Sequence, residues 1–141
     1  MLHRLRNLFR PVAPRSSDPA PSAPLPVSDV AMHWLAGTRQ PLADWERIAE
    51  AERADWSQGE RDAFWTAAAR HWLEALGQAL GPDYRVLSSD RFLLLTALEP
   101  AAAQPFLKFC ESARRWIVRN LGPLAQPVGG GKHVCLMFAE D

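Results

Sequence analysis

Three groupings in the 141-residue sequence contain the residue types from which chemical sites are built. The run Gly129-Gly130-Gly131-Lys132-His133 sets glycines before a lysine, as a phosphate-binding loop does. Such a loop also needs a glycine five positions before its last one, a hydroxyl side chain after the lysine, and a following helix whose N-terminus faces the anion. Gln126 and His133 occupy those two positions, and the residues that follow suit a strand. The run therefore reads as a flexible connector. His71 and Glu74 stand three apart on a helical stretch, within reach of one metal ion. Zinc requires at least one further protein ligand, and no HExxH or comparably spaced residue supplies it, so His71 reads as a surface or boundary residue. His133 and Cys135 alternate on one strand face, too small a set for a site. Cys110 falls among apolar helix positions, which suits a structural thiol better than a nucleophile. Neither Ser88-Ser89 nor Ser112 has the flanking glycines of a nucleophile elbow. No catalytic, metal-binding or nucleotide-binding constellation is complete, and the expectation is a non-catalytic protein with no metal and no cofactor.

Sixteen basic residues balance sixteen acidic ones. Nucleic-acid binders usually carry a basic excess, so that class is set aside. The balance hides local asymmetry: seven acids against three arginines from Asp44 to Asp62, and four bases against one acid from Lys108 to Arg119. The asymmetry suits a partner surface, and suits better two helices of one domain with complementary fields. Cys110 and Cys135 are too few and wrongly spaced for a disulfide framework; a single bridge between them stays open, and a reduced, cytoplasmic protein is the simpler expectation. No run approaches the ~18 apolar residues of a membrane span. Met1 to Arg10 sets Leu2, Leu5, Leu8 and Phe9 among Arg4, Arg6 and Arg10, without the continuous apolar run of a signal peptide. Peripheral contact of residues 1–10 with an anionic membrane ranks below a basic, disordered start, because ten residues are marginal for an unsupported helix.

The elements that must position these residues follow from periodicity. Six prolines between Pro11 and Pro26 make residues 1–26 a basic start and extended linker, leaving 27–141 as one helix-rich α+β domain. A first helix is expected from Leu42 to Trp56, with Trp45, Ile48, Ala49 and Trp56 on one side. Ser57-Gln58-Gly59-Glu60 has the capping-box pattern and should open a second helix, which Gly81-Pro82 stops. Its apolar stripe is Phe64, Trp65, Ala68, Trp72, Leu76 and Leu80. Tyr84–Leu87 and Arg91–Leu95 suit a short hairpin turning at Ser88-Ser89-Asp90. A long amphipathic helix follows Glu99-Pro100, with Pro105 kinking it or marking its first turn. Phe106, Phe109, Cys110, Ala113, Trp116, Ile117 and Leu121 form its apolar face. His133 to Phe138 reads as a buried final strand, and strand–helix–strand order favours a parallel pair with a right-handed crossover.

The stretch from Tyr84 to Phe138 resembles the segment that precedes the zinc helix in gluzincin-like metallopeptidases of the peptidase MA type. The similar elements are Ser88-Ser89-Asp90-Arg91-Phe92-Leu93-Leu94-Leu95, the helix ending Arg114-Arg115-Trp116-Ile117, and the strand Lys132 to Phe138. The resemblance implies a strand–helix–strand unit. It carries no zinc ligand or peptidase activity to any residue here, because the sequence reaches Glu140-Asp141 before HExxH could fall. The alternative reading is thus a zinc-metallopeptidase-like protein cut short, or completed by another chain.

The leading expectation is a protein-interaction or scaffold domain. Trp65, Trp72 and Trp116 sit on core stripes, whereas Trp34 and Trp45 are expected to be exposed contacts. Val134, Leu136 and Phe138 join them, because an apolar strand close to a terminus needs something along its edge. A protein partner or a second copy could supply that cover through the C-terminal strand.

Overall fold

The computed structural model describes residues 30–125 and 130–138. The basic start, the whole proline-rich linker, and residues 27–29, 126–129 and 139–141 lie outside the described residues. In chain order the elements are helix α1 (Trp45–Ala49), helix α2 (Gln58–Leu80), strands β1 (Arg85–Ser88) and β2 (Phe92–Thr96), helix α3 (Pro100–Leu121), and strand β3 (His133–Met137). A 3-10 turn, Gly122–Ala125, follows α3. The fold is of the α+β class, with a three-stranded sheet in the order β1-β2-β3.

Helix α2 begins and ends where its local chemistry dictates. The Ser57 hydroxyl accepts from the Glu60 backbone N–H, and the Glu60 carboxylate accepts from the Ser57 N–H at 2.8 Å. Gly81 closes the helix with φ 141°, a backbone that side chains disfavour. The apolar surface of α2 serves two cores. Phe64, Ala67 and Ala68 pack with Val30, Ala43 and Ile48, while Ala69, Leu73 and Leu76 pack with Leu93 and Leu95. Being buried on several sides, α2 has only a weak apolar stripe. Leu73, fully buried, lies outside the stripe read from the sequence.

The expected first helix is shorter than its pattern. It spans only Trp45–Ala49, capped by Asp44, whose side chain accepts from the Arg47 N–H. Antiparallel pairing of Trp34 with Ala43 engages the chain before it, and turns hold the residues after Ala49. Two indoles fasten this corner to α2. Trp65 Nε1 donates to Glu52 Oε2 at 2.7 Å, and Trp72 Nε1 donates to the Pro41 carbonyl at 3.0 Å. Ile48 is the buried side chain of α1, while Ala49 is exposed.

The sheet lies between α2 and α3. Strand β2 pairs antiparallel with β1 and parallel with β3. The parallel pair expected from strand–helix–strand order forms. Leu93 and Leu95 face α2, whereas Leu94 faces Ala103 and Leu107 of α3. Such a strand is buried on both faces and reads as a continuous apolar run. Beyond it, the Thr96 hydroxyl accepts from the Leu98 N–H and turns the chain toward α3. Pro100 stands in the first turn of α3, and Pro105 lies inside the helix with its ring exposed.

The glycine run, expected to be a flexible connector, is a close-packed contact where it is described. A Cβ on Gly130 would stand 2.8 Å from Trp65 Cδ1, and one on Gly131 would stand 2.9 Å from the Thr66 nitrogen. Gly131 also has φ 85°. This approach lets the Gly131 N–H donate to Asp62 Oδ1 and the Lys132 N–H donate to Thr66 Oγ1, each at 3.1 Å. Gly37 has a similar φ of 77° but open space around it. Gly131→Ala is therefore expected to destabilise the fold by ~2 kcal/mol or more, from backbone strain plus overlap. Gly37→Ala should cost only the strain, ~1 kcal/mol. Urea titrations compare the two, and equal losses would show that contact with α2 does not require the glycine.

Candidate protein interface

A geometric mismatch dominates the surface. Helix α3 has 22 residues and is ~33 Å long. The strands it covers have four or five residues, ~17 Å at most. Its first half covers the sheet, and beyond that contact narrows to Glu111 on the hairpin turn and Arg114 on His133 of β3. Ala103 and Leu107 are buried, whereas Phe109 and Trp116 are 66% and 64% exposed. Ile117, Val118, Leu121 and Leu124 of the following turn are exposed as well. This corrects two expectations from the sequence. Trp116 is not a core residue, and most of the apolar face of α3 is not buried.

Part of this face forms a groove of about 430 Å³, lined by Phe92, Phe109, Cys110, Ala113, Ile117 and Val118 among others. Arg114 lines the groove, Lys108, Arg115 and Arg119 are exposed on the other side of α3, and none of the four makes an ion pair among the described residues. The segregated charges found in the sequence thus do not neutralise one another by pairing α3 with α2. The four ion pairs of the described residues are Arg53–Asp55, Arg61–Glu52, Arg70–Glu74 and Arg85–Glu99.

Strand β3 presents a second apolar surface. Val134 and Leu136 pair with Leu93 and Leu95, so they lie on the face that α2 covers. Helix α2 packs over β1 and β2, however, and leaves Val134, Leu136 and Phe138 exposed. The final strand is thus not the buried strand expected. Its outer edge pairs with no strand among the described residues. Phe138 keeps one aromatic neighbour, Tyr84, at 6.4 Å between ring centroids. Trp34 and Trp45 are exposed at the far corner, beside exposed Leu35 and Leu42. Trp45 also meets Trp72 edge-on at 5.7 Å. The five contact residues read from the sequence therefore fall on two separate surfaces, and the exposed apolar surface of α3 contains none of them.

The residues considered for chemistry do not converge. No group of three or more His, Cys, Asp or Glu side chains is placed to hold a metal among the described residues. Glu74 lies 4.0 Å from Arg70, in an ion pair, and His71 is half-buried. Both cysteines are free thiols. Burial pushes the Cys135 thiol above its ordinary pKa, with neighbouring Cys110 adding to the effect, the opposite of nucleophile activation. Among the described residues no helix is long and apolar enough to cross a membrane. No protein family, no curated protein and no solved structure matches the chain.

Polar contacts that no spacing rule reveals hold the hairpin turn against both α3 and β3. Glu111 Oε1 accepts from the Ser89 hydroxyl at 2.7 Å and from the Arg91 N–H at 2.8 Å. The Lys132 ammonium donates to Ser88 Oγ and to the Ser89 carbonyl. The bonds from Ser89 and then Arg91 hold the Glu111 carboxyl below its ordinary pKa. A carboxylate with a depressed folded-state pKa stabilises the fold above its unfolded value, and that contribution disappears as pH falls through the folded value. Unfolding midpoints measured in urea should thus fall as the solution is acidified below the ordinary glutamate range. Glu111→Gln should be less stable at neutral pH and should flatten part of that fall. An unchanged pH slope in the variant would assign the acid sensitivity to other carboxylates.

Proposed function

We propose that the protein is a non-catalytic interaction domain of the cytoplasm, whose partner is a protein segment that lays an apolar, acid-flanked helix along α3. The observation that carries this reading is the apolar surface left uncovered beyond the sheet, from Phe109 to Leu124. Contiguous apolar patches of this kind mark interaction sites. The groove is concave, which suits inserted side chains and helix-in-groove recognition. Arg114 at the groove wall, with Lys108, Arg115 and Arg119 elsewhere on the exposed surface of α3, supplies the sign of charge that an acidic helix complements. The open edge of β3, with Val134, Leu136 and Phe138, is a second place for a partner strand or another copy. Two free thiols suit a reducing compartment.

The test uses two fluorescent amphipathic peptides with the same leucine face, one glutamate-flanked and one lysine-flanked. The glutamate peptide should bind saturably, and more weakly as salt rises. Phe109→Ser and Trp116→Ser should each weaken it about tenfold, since truncating a buried aromatic anchor removes ~1.4 kcal/mol or more. Equal binding of both peptides, or unchanged affinity in both variants, would overturn the reading. Anionic vesicles that bind while the peptide does not would reassign the surface to lipid.

A second reading rests on the β2–α3–β3 unit, whose order is the one that the metallopeptidase resemblance implies. In that reading the protein is zinc-peptidase-like and is completed by further chain. Stoichiometric zinc binding with peptide cleavage by the purified protein would favour it over the interaction reading.

A further inference from the structure

A cleft of about 750 Å³ separates the α1–α2 corner from the sheet and α3. Glu52, Arg61, Asp62 and Trp65 line one wall, and Arg91, Arg114 and His133 line the other. The two walls differ in how their charges are used. Glu52 already accepts the Trp65 indole N–H at 2.7 Å and lies 3.4 Å from Arg61 Nε. Asp62 Oδ1 accepts from Gln58 Nε2 at 2.8 Å and from the Gly131 N–H at 3.1 Å. Both acids are therefore engaged in holding the fold.

Two of the three guanidiniums are not so engaged. The Arg91 side chain has no hydrogen-bond or ion-pair partner among the described residues. Arg114 makes one long contact, Nε donating to His133 Nε2 at 3.4 Å. Arg61, by contrast, is held by the fold: Nη2 donates to the Ala54 carbonyl at 3.2 Å and the buried Nε faces Glu52 Oε1 at 3.4 Å. Arg91 and Arg114 thus bring guanidinium donors to a polar cleft in which no carboxylate among the described residues pairs with either of them. Guanidinium donors that no protein carboxylate engages are available to an oxyanion ligand.

We propose that this cleft binds a small phosphate monoester, its phosphoryl oxygens held by Arg91 and Arg114 and its organic part lying against Trp65. Guanidinium forks match phosphate and carboxylate oxygens alike. A phosphoryl group, with three terminal oxygens, can accept two forks brought from different elements, whereas a carboxylate is filled by one. The cleft adjoins the α3 groove, since Arg114 and His133 line both, whereas Arg91 lines only the cleft.

Calorimetry on the full chain with phenyl phosphate, inorganic phosphate and phenylacetate tests the proposal. Phenyl phosphate should bind one per chain, more tightly than inorganic phosphate, and phenylacetate should bind far more weakly. Arg91→Ala and Arg114→Ala should each weaken phenyl phosphate about tenfold or more, as expected for loss of a charge-assisted pair. Arg91→Lys should recover part of the affinity, and Arg119→Ala on the outer face of α3 should leave it unchanged. Arg91 has no partner to lose, so its variants should keep the parent unfolding midpoint and remain informative if Arg114→Ala fails to fold. Absence of saturable phosphate binding, or equal affinity in parent and Arg91→Ala, would overturn the proposal. Glutamate-peptide binding measured on Arg91→Ala keeps this outcome distinct from that of the α3 interface.

Discussion

Strand β2 is buried on both faces, and that position obliges the chain to supply one cover above it and another below. Leu93, Leu95 and Leu94 divide between the two sides, and Thr96 is buried with them. Helix α2 precedes the hairpin and covers one face, and α3 follows it and covers the other. The parallel strand β3 can then form only if the chain returns along the full length of α3. Its return point is held by three contacts of different kinds. Gly130 and Gly131 touch α2, Lys132 binds the hairpin turn, and the Lys132 N–H meets Thr66. These contacts link elements far apart in sequence, so the edge strand, the turn and the start of α2 are expected to stand or fall together.

The same constraint explains the exposed surfaces. A helix long enough to carry the chain back overshoots strands half its length, and beyond Arg114 its apolar residues are left uncovered. Helix α2, packed over β1 and β2, likewise leaves the corresponding face of β3 open. Apolar surface remains outside because two long helices cover a small sheet, not because the sequence lacks core residues. That unused surface and the unneutralised guanidiniums of the cleft are the two features that packing alone does not account for.

Much of the architecture was legible in the residues. The capping box at Ser57, the stop at Gly81-Pro82 and the turn at Ser88-Ser89-Asp90 act through neighbouring atoms, so their effects appear close to where the pattern does. The first helix was overread, because Trp45, Ile48 and Trp56 satisfy a helical period while pairing of Trp34 with Ala43 engages the residues just before. Trp116 was misplaced for a different reason. Its spacing from Phe109 fixes the side of the helix on which it lies, but not whether anything covers that side. Comparing the length of α3 with the lengths of the strands would have shown the excess. The glycine run was misread because flexibility and close approach select the same residue.

By itself the sequence determined the α+β class, most element boundaries and the parallel order of β2 and β3, since capping, turn chemistry and periodicity are local. Tertiary structure alone decided which apolar residues were covered, where the glycines had to approach α2, and which charges were left without partners. Burial and charge pairing depend on the surface another element brings to a residue, and no local spacing carries that information.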